Sequence, residues 1–221
     1  MKRFAFAVSL LALALLVGLP SLAHADAISI ALQQAGVNGG AVTTVNVGSG
    51  SASISVLPYG TFTAVSVDAT GSPFFVEPGF NSNSLNISGS LPGVLTVFVT
   101  EQGLSSPIGV NSLFSSLTSN MITSGWSVVE STLVSTSNAL YGGTTLGSHT
   151  FTAIGTSTST NSTPSLANPF SVTEKYVITS TGAGSTNDTI NLSKVPEPSS
   201  LLMLGSGLIG LVGLRRRKLV A

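Results

Sequence analysis

Few residues in this chain are able to do chemistry. Between Asp26 and Val195 there is one histidine, His149, and no cysteine. The carboxylates number seven: Asp26, Asp68, Glu77, Glu101, Glu130, Glu174 and Asp188. A serine hydrolase needs a histidine beside its serine, often presented on a Gly-x-Ser-x-Gly turn. His149 lies between Ser148 and Thr150 in an alternating segment, and the chain has no such turn. It therefore reads as an outward or edge histidine of a sheet. Glycoside hydrolysis needs two nearby carboxyls, one with a raised pKa. A pair such as Glu77 and Glu101 is the candidate, although neither sits in a recognisable motif. Calcium needs clustered oxygen ligands. "STNDTIN" (185–191) offers Asn187 and Asp188 without an Asp-x-Asp-x-Asp series, so a turn is the better reading. Without cysteine, zinc, iron–sulfur and thiol chemistry lose their usual ligands. The expectation is no catalytic residue, no cofactor and no metal.

Trp126, Tyr59, Tyr141 and Tyr176 could form a sugar-stacking platform, but lone aromatics in sheets also serve as core or edge residues. Threonine repeats, "TFT" at 61–63 and 150–152 and "TSTST" at 156–160, raise the question of a flat ice-binding array. No regular spacing links them. Asn86, Asn161, Asn187 and Asn191 each begin an Asn-x-Ser/Thr motif, which chance alone makes common in so Ser/Thr-rich a chain.

The charge pattern removes whole classes of partner. From Asp26 to Glu174 there is no Lys or Arg; the body has only Lys175 and Lys194, so seven acids leave it at net −5. A nucleic-acid binder needs cations to neutralise phosphates, and that class is excluded. The same shortage weighs against anionic membrane surfaces.

The elements that must position these residues are strands. Ser and Thr supply 55 of the 170 residues from Asp26 to Val195, a content that can mean a disordered stalk. Here they alternate with Val, Ile, Leu and Phe, which argues for folded β structure. Strands are expected at 27–33, 42–47, 51–57, 61–69, 93–101, 126–134, 148–155, 170–180 and 186–192. In 61–69 the inward phase passes through Ala64 or Val65. Asn111–Ile122 fits a helical face through Leu113, Phe114, Leu117 and Met121, or a strand face through Leu113, Leu117 and Met121. Its Ser and Thr content favours the strand. "PGFNSNS" (78–84) reads as a turn and "GTSTSTNSTPSLANP" (155–169) as an exposed loop. The fold class is all-β: a single sandwich or barrel-like domain of about nine to eleven short strands.

Both ends read as addresses. Met1-Lys2-Arg3 is a basic start, Phe4–Leu19 an uncharged apolar run, and Ala23-His24-Ala25 an A-x-A cleavage site. That apolar run is about 24 Å long as a helix, short of the roughly 30 Å hydrocarbon core. Cleavage is expected between Ala25 and Asp26. At the other end Pro196-Glu197-Pro198 is stiff and extended, because each proline lacks an N–H and restrains its predecessor. Leu201–Leu214 follows as a short apolar helix, and Arg215, Arg216, Arg217 and Lys218 then hold the end on the cytoplasmic side. The chain divides into a signal peptide (1–25), a Ser/Thr-rich ectodomain (26–194) and a tail (195–221), with a signal helix and a short transmembrane helix flanking the sheet domain.

That tail resembles the PEP-CTERM sorting domain of exported bacterial proteins, a segment also labelled ice-binding protein C-terminal domain. The match covers Val195 to about Lys218. "ISIALQQAGVNGGAVTTV" and "STNDTINL" are similar to ectodomains that precede such tails. The resemblance implies signal peptidase and an exosortase-like membrane protease as processing partners. It also implies transient membrane residence through the tail and an exopolysaccharide as a further partner. The function expected is that of a non-enzymatic protein of the cell surface or extracellular matrix; the alternative is a carbohydrate- or ice-binding surface module.

Overall fold

A computed structural model describes residues 26–72, 75 and 77–195. Twelve strands run through them: β1 Ala27–Gln33, β2 Thr43–Ser49, β3 Ser51–Tyr59, β4 Phe62–Thr70, β5 Phe80–Gly89, β6 Gly93–Leu104, β7 Ser112–Ile122, β8 Ser127–Ser135, β9 Thr144–Phe151, β10 Gly155–Ser162, β11 Phe170–Ser180 and β12 Gly184–Lys194. They pair antiparallel into two six-stranded sheets. Sheet A has the order β2-β1-β6-β11-β8-β9 and sheet B the order β10-β7-β12-β5-β4-β3. The chain crosses between the sheets repeatedly, first at Gly50, whose φ is +70°, and later, for example, across residues 152–154. Among the described residues no helix is long and apolar enough to cross a membrane. The expected signal helix and tail helix lie outside the described residues.

Alternation produces the sandwich directly. Successive side chains of a strand point to opposite faces, so Ile28, Ile30 and Leu32 of β1 and Leu95, Val97 and Val99 of β6 face inward from sheet A. They meet Val65, Val67, Leu85, Ile87, Ile190 and Leu192 of sheet B. Trp126, 1% exposed, closes one end; its ring meets Phe62 edge-on at 6.1 Å and its indole N–H donates to Gly182 O at 3.2 Å. A register shift between Phe62 and Ala64 selects Val65, not Ala64, as the inward residue of β4.

The last two strands lock the two sheets. β11 sits between β6 and β8, and β12 between β7 and β5. The end of the domain is thus central to sheet B, and Val195 N–H still donates to Ser112 O at 3.1 Å.

The strand count exceeds the expected nine to eleven because two polar strands, β5 and β10, carry no continuous hydrophobic phase. β10 begins the stretch expected to be a loop, yet it pairs with β7 without a bulge from Gly155↔Ser119 to Ser162↔Ser112. An edge strand of Ser and Thr needs ladder hydrogen bonds and no apolar face, so hydrophobic periodicity cannot reveal it. β5 begins at Phe80 within the expected turn, because Ser82 occupies a buried position that an apolar residue would have announced. Within 111–122, Ser112–Ile122 form a strand, as the Ser and Thr content favours.

Candidate functional site

His149 lies exposed on edge strand β9 with its ring 4.6 Å from that of Phe151. Among the described residues it forms no hydrogen bond to a serine or a carboxylate, so no hydrolase triad assembles around it. The Glu77 and Glu101 pair also separates by role. Glu77 lies at the surface, where its Oε2 accepts from Ser105 N–H at 2.8 Å and Ser106 N–H at 2.7 Å. Glu101 is sealed inside, accepting from Ser72 N–H at 2.5 Å. Asp188 points inward from β12 instead of occupying a turn, which corrects the reading of 185–191; no metal-holding group of His, Cys, Asp or Glu occurs among the described residues.

The tertiary structure brings together a set of interior carboxyls. Glu101, Glu130, Glu174 and Asp188 are each 0% exposed, on β6, β8, β11 and β12. Burial pushes Glu101 up to about 8, with the Asp26 and Glu77 carboxylates adding to the rise and the Ser72 N–H opposing it. Burial pushes Glu130 up to about 9, reinforced by Asp188 and opposed by Thr118 N–H, which Glu130 Oε2 accepts at 2.9 Å. Asp188 rises to about 6 through burial, opposed by hydrogen bonds led by Thr186, whose Oγ1 donates to Asp188 Oδ2 at 2.7 Å. Glu174 is held well above the carboxylate range, first by burial and then by repulsion from Glu101 and Glu130. Ser82 faces Glu174 without a well-aligned hydrogen bond, and both Glu174 oxygens lack a geometric partner among the described residues.

Every charge acting on these acids is another carboxylate. Desolvation disfavours the charged form of a carboxyl in that position and shifts Glu101, Glu130 and Glu174 furthest towards the neutral form. Tyr176 sits in the same layer; its hydroxyl contacts Ser82 Oγ, donates to Ser82 O at 3.1 Å and accepts from Ile190 N–H at 3.0 Å. Raised carboxyls suit general acids, but catalysis also needs substrate to reach them. The described cavity, about 320 Å³, lies at the β2–β3–β4 corner and is lined by Asn46, Gly48, Ser51, Ala52, Ser53, Asp68, Ala69 and Thr70; none of the buried acids reaches it. The sequence announces this interior layer only through phase: Glu130 follows Trp126 and Val128 in the inward phase, and Glu174 lies between Val172 and Tyr176.

The four aromatics do not form one platform. Trp126, Tyr59 and Tyr176 are 1%, 8% and 0% exposed and belong to the core. Tyr141 alone is half-exposed, on the β8–β9 loop over the outer face of sheet A. The threonines form a ladder in one dimension only. Thr156, Thr158 and Thr160 of β10 point outward together, but their β7 partners are Thr118, Ser116 and Phe114. The β12 residues beyond are Thr189, Asn191 and Ser193. All four Asn-x-Ser/Thr asparagines lie on sheet B.

Pro196, Glu197, Pro198, the basic cluster Arg215–Lys218 and Ala25 lie outside the described residues. Asp26 lies within them, 2% exposed at the start of β1.

Among curated proteins no sequence matches this chain. Among solved structures, TmCBM61 in complex with beta-1,4-galactotriose is similar at a TM-score of 0.27 and 9% identity, over 51% of this chain and 70% of that one. The C-terminal CBM6 of LamC, a marine laminarinase from Zobellia galactanivorans, gives 0.28 and 15% over 65% and 99%. The carbohydrate-binding module CBM6cm-2 from Cellvibrio mixtus lichenase 5A gives 0.21 and 11% over 66% and 88%. At such TM-scores these likenesses carry no functional argument. The tail does carry one: residues 194–218 match the PEP-CTERM protein-sorting motif, and this chain is an exported protein with a PEP-CTERM tail.

Proposed function

We propose that the chain delivers a non-enzymatic β-sandwich to the cell surface or extracellular matrix. Signal peptidase cuts between Ala25 and Asp26. The tail then holds the protein in the inner membrane through its short helix and the stop-transfer cluster Arg215, Arg216, Arg217 and Lys218. An exosortase-like protease acts at Pro196-Glu197-Pro198 and frees or transfers the domain. The observation that carries this reading is the sorting motif beginning where β12 ends. Three further features support it: interior acids closed to substrate, a lone edge histidine and an outer surface rich in Ser and Thr. The ice-binding alternative loses support because the threonine ladder does not extend across neighbouring strands. The carbohydrate alternative keeps a narrower basis, on the outer face of sheet A around Tyr141.

The test is the mass and termini of the mature protein from its native host. Trypsin has no site from Asp26 to Glu174, so a second protease must map the body. A chain starting at Asp26 and ending near Pro196–Pro198 is expected. Retention of Arg215–Ala221 in the membrane fraction refutes processing and leaves a thinly anchored envelope protein.

A further inference from the structure

Across the outer face of sheet A the strand registers align one row: Thr44, Ala31, Phe98, Lys175, Ser131 and Ser148. Residues directly opposite on neighbouring strands share a face, so Lys175 stands beside Phe98, its Nζ 5.7 Å from the ring centroid. Tyr141 lies over the Thr44 end. Its ring is tilted 49° against Phe98 at 5.7 Å, its hydroxyl is 2.5 Å from Thr44 Oγ1, and its N–H donates to Thr100 Oγ1 at 3.2 Å. At the other end the Ser131 and Ser148 hydroxyls are 2.9 Å apart.

Two features separate this row from an ordinary solvated sheet face. Lys175 is the first cation after the signal region, and among the described residues its ammonium has no carboxylate partner. The acids of its own strand and of the two flanking it, Glu174, Glu101 and Glu130, point into the core. Tyr141 has φ +59°, a left-handed conformation that is an outlier for a bulky side chain and has an energetic cost. The three contacts above hold it there, and the result is an aromatic ring presented on the same face as the Lys175 ammonium, among hydroxyls and short aliphatics.

We propose that this row is a polysaccharide-binding site, taking a short stretch of sugars in which one pyranose lays its apolar ring face on Tyr141 while oxygens of that unit and its neighbours accept from Lys175 and bond to Ser131 and Ser148. Ala31 and Phe98 are 0% and 6% exposed, so the open part of the row runs from Lys175 to Ser148, two strand spacings or about 10 Å, and Tyr141, over Phe98, extends it to room for a short run of sugars. Neutral and acidic polymers both present such a ring and such oxygens. The site rests on the exported, matrix-facing reading, which gives it a polymer to meet.

The test is affinity electrophoresis of the full-length chain in detergent, through gels containing a neutral β-glucan, a neutral galactan or a polyuronate. Retardation by at least one polymer is expected, with Tyr141→Ala and Lys175→Gln each weakening it about tenfold, the scale of losing one stacked or charge-assisted contact. Lys175 fills no core position, so Lys175→Gln keeps the test valid even where Tyr141→Ala disturbs its loop. Retardation by the neutral polymers identifies a sugar-face site; retardation by polyuronate that persists at high salt identifies an acidic sugar in the same site. No retardation by any polymer overturns the proposal. So does retardation unchanged in both variants, or binding to polyuronate alone that salt abolishes. Correct mature termini without retardation remove this site and leave the sorted surface protein standing; unprocessed termini remove the sorting reading, whatever the gels show.

Discussion

Rising pH should destabilise this domain in a range where most proteins are comfortable, because burial favours its interior acids as neutral carboxyls. The sign follows from their raised values. Below the unfolded pKa near 4.5 both states hold the protons, and burial exacts no pH-dependent penalty. As pH rises past that value the unfolded chain releases protons that Glu101 and Glu130 keep until about 8 and about 9. The folded state then binds more protons, so stability falls with increasing pH through that window. Each tenfold difference in proton affinity between the two states is worth about 1.4 kcal/mol, so at pH 7 Glu101 and Glu130 each remove about 3 kcal/mol relative to pH 4. Asp188 shares its site with Glu130 and rises to about 6, adding to the loss between about 4 and 6. Against a typical total of about 5–15 kcal/mol this is decisive. Urea denaturation followed by Trp126 fluorescence at about pH 4.5, 6, 7 and 8 should give steadily falling midpoints. Glu130→Gln keeps an acceptor for Thr118 N–H and removes the titration. It should flatten the profile and stabilise the domain by about 3 kcal/mol at pH 7, with little change at about pH 4.5. A wild-type midpoint that is level or rises from pH 4.5 to 8 refutes the assignment of these acids as buried neutral groups.

Other perturbations follow from the same packing. Gly71→Ala places a Cβ on Glu101 Oε1 and should cost about 1–3 kcal/mol in thermal unfolding. Tyr176→Phe leaves Ile190 N–H and Ser82 without their phenolic partner and should cost about 1–3 kcal/mol, read from the urea midpoint. Ending the chain after Ser180 removes β12 from the centre of sheet B and should leave no cooperative unfolding transition by circular dichroism. His149→Ala should change stability by less than about 0.5 kcal/mol, and a larger loss would give the edge histidine a role that its tilted contact with Phe151 does not explain.

Read along the chain, the residues alone settled the all-β class, ten of the strand positions and the sorting tail. Those features are local: alternation of period two or a short contiguous motif. Tertiary structure decided what depends on residues far apart in sequence. β5 and β10 became strands because neighbouring ladders accept their polar residues, and no hydrophobic phase announced them. Three of the four candidate aromatics went into the core while Tyr141, held in a left-handed turn by Thr44, Phe98 and Thr100, stayed outside. Glu101, Glu130, Glu174 and Asp188, separated by up to 87 positions, became one interior layer once β11 and β12 inserted between their neighbours. Alternation can place a carboxyl on the inward face, but only the packing of two sheets determines whether water, a cation or another carboxyl stands opposite it. That choice sets its charge.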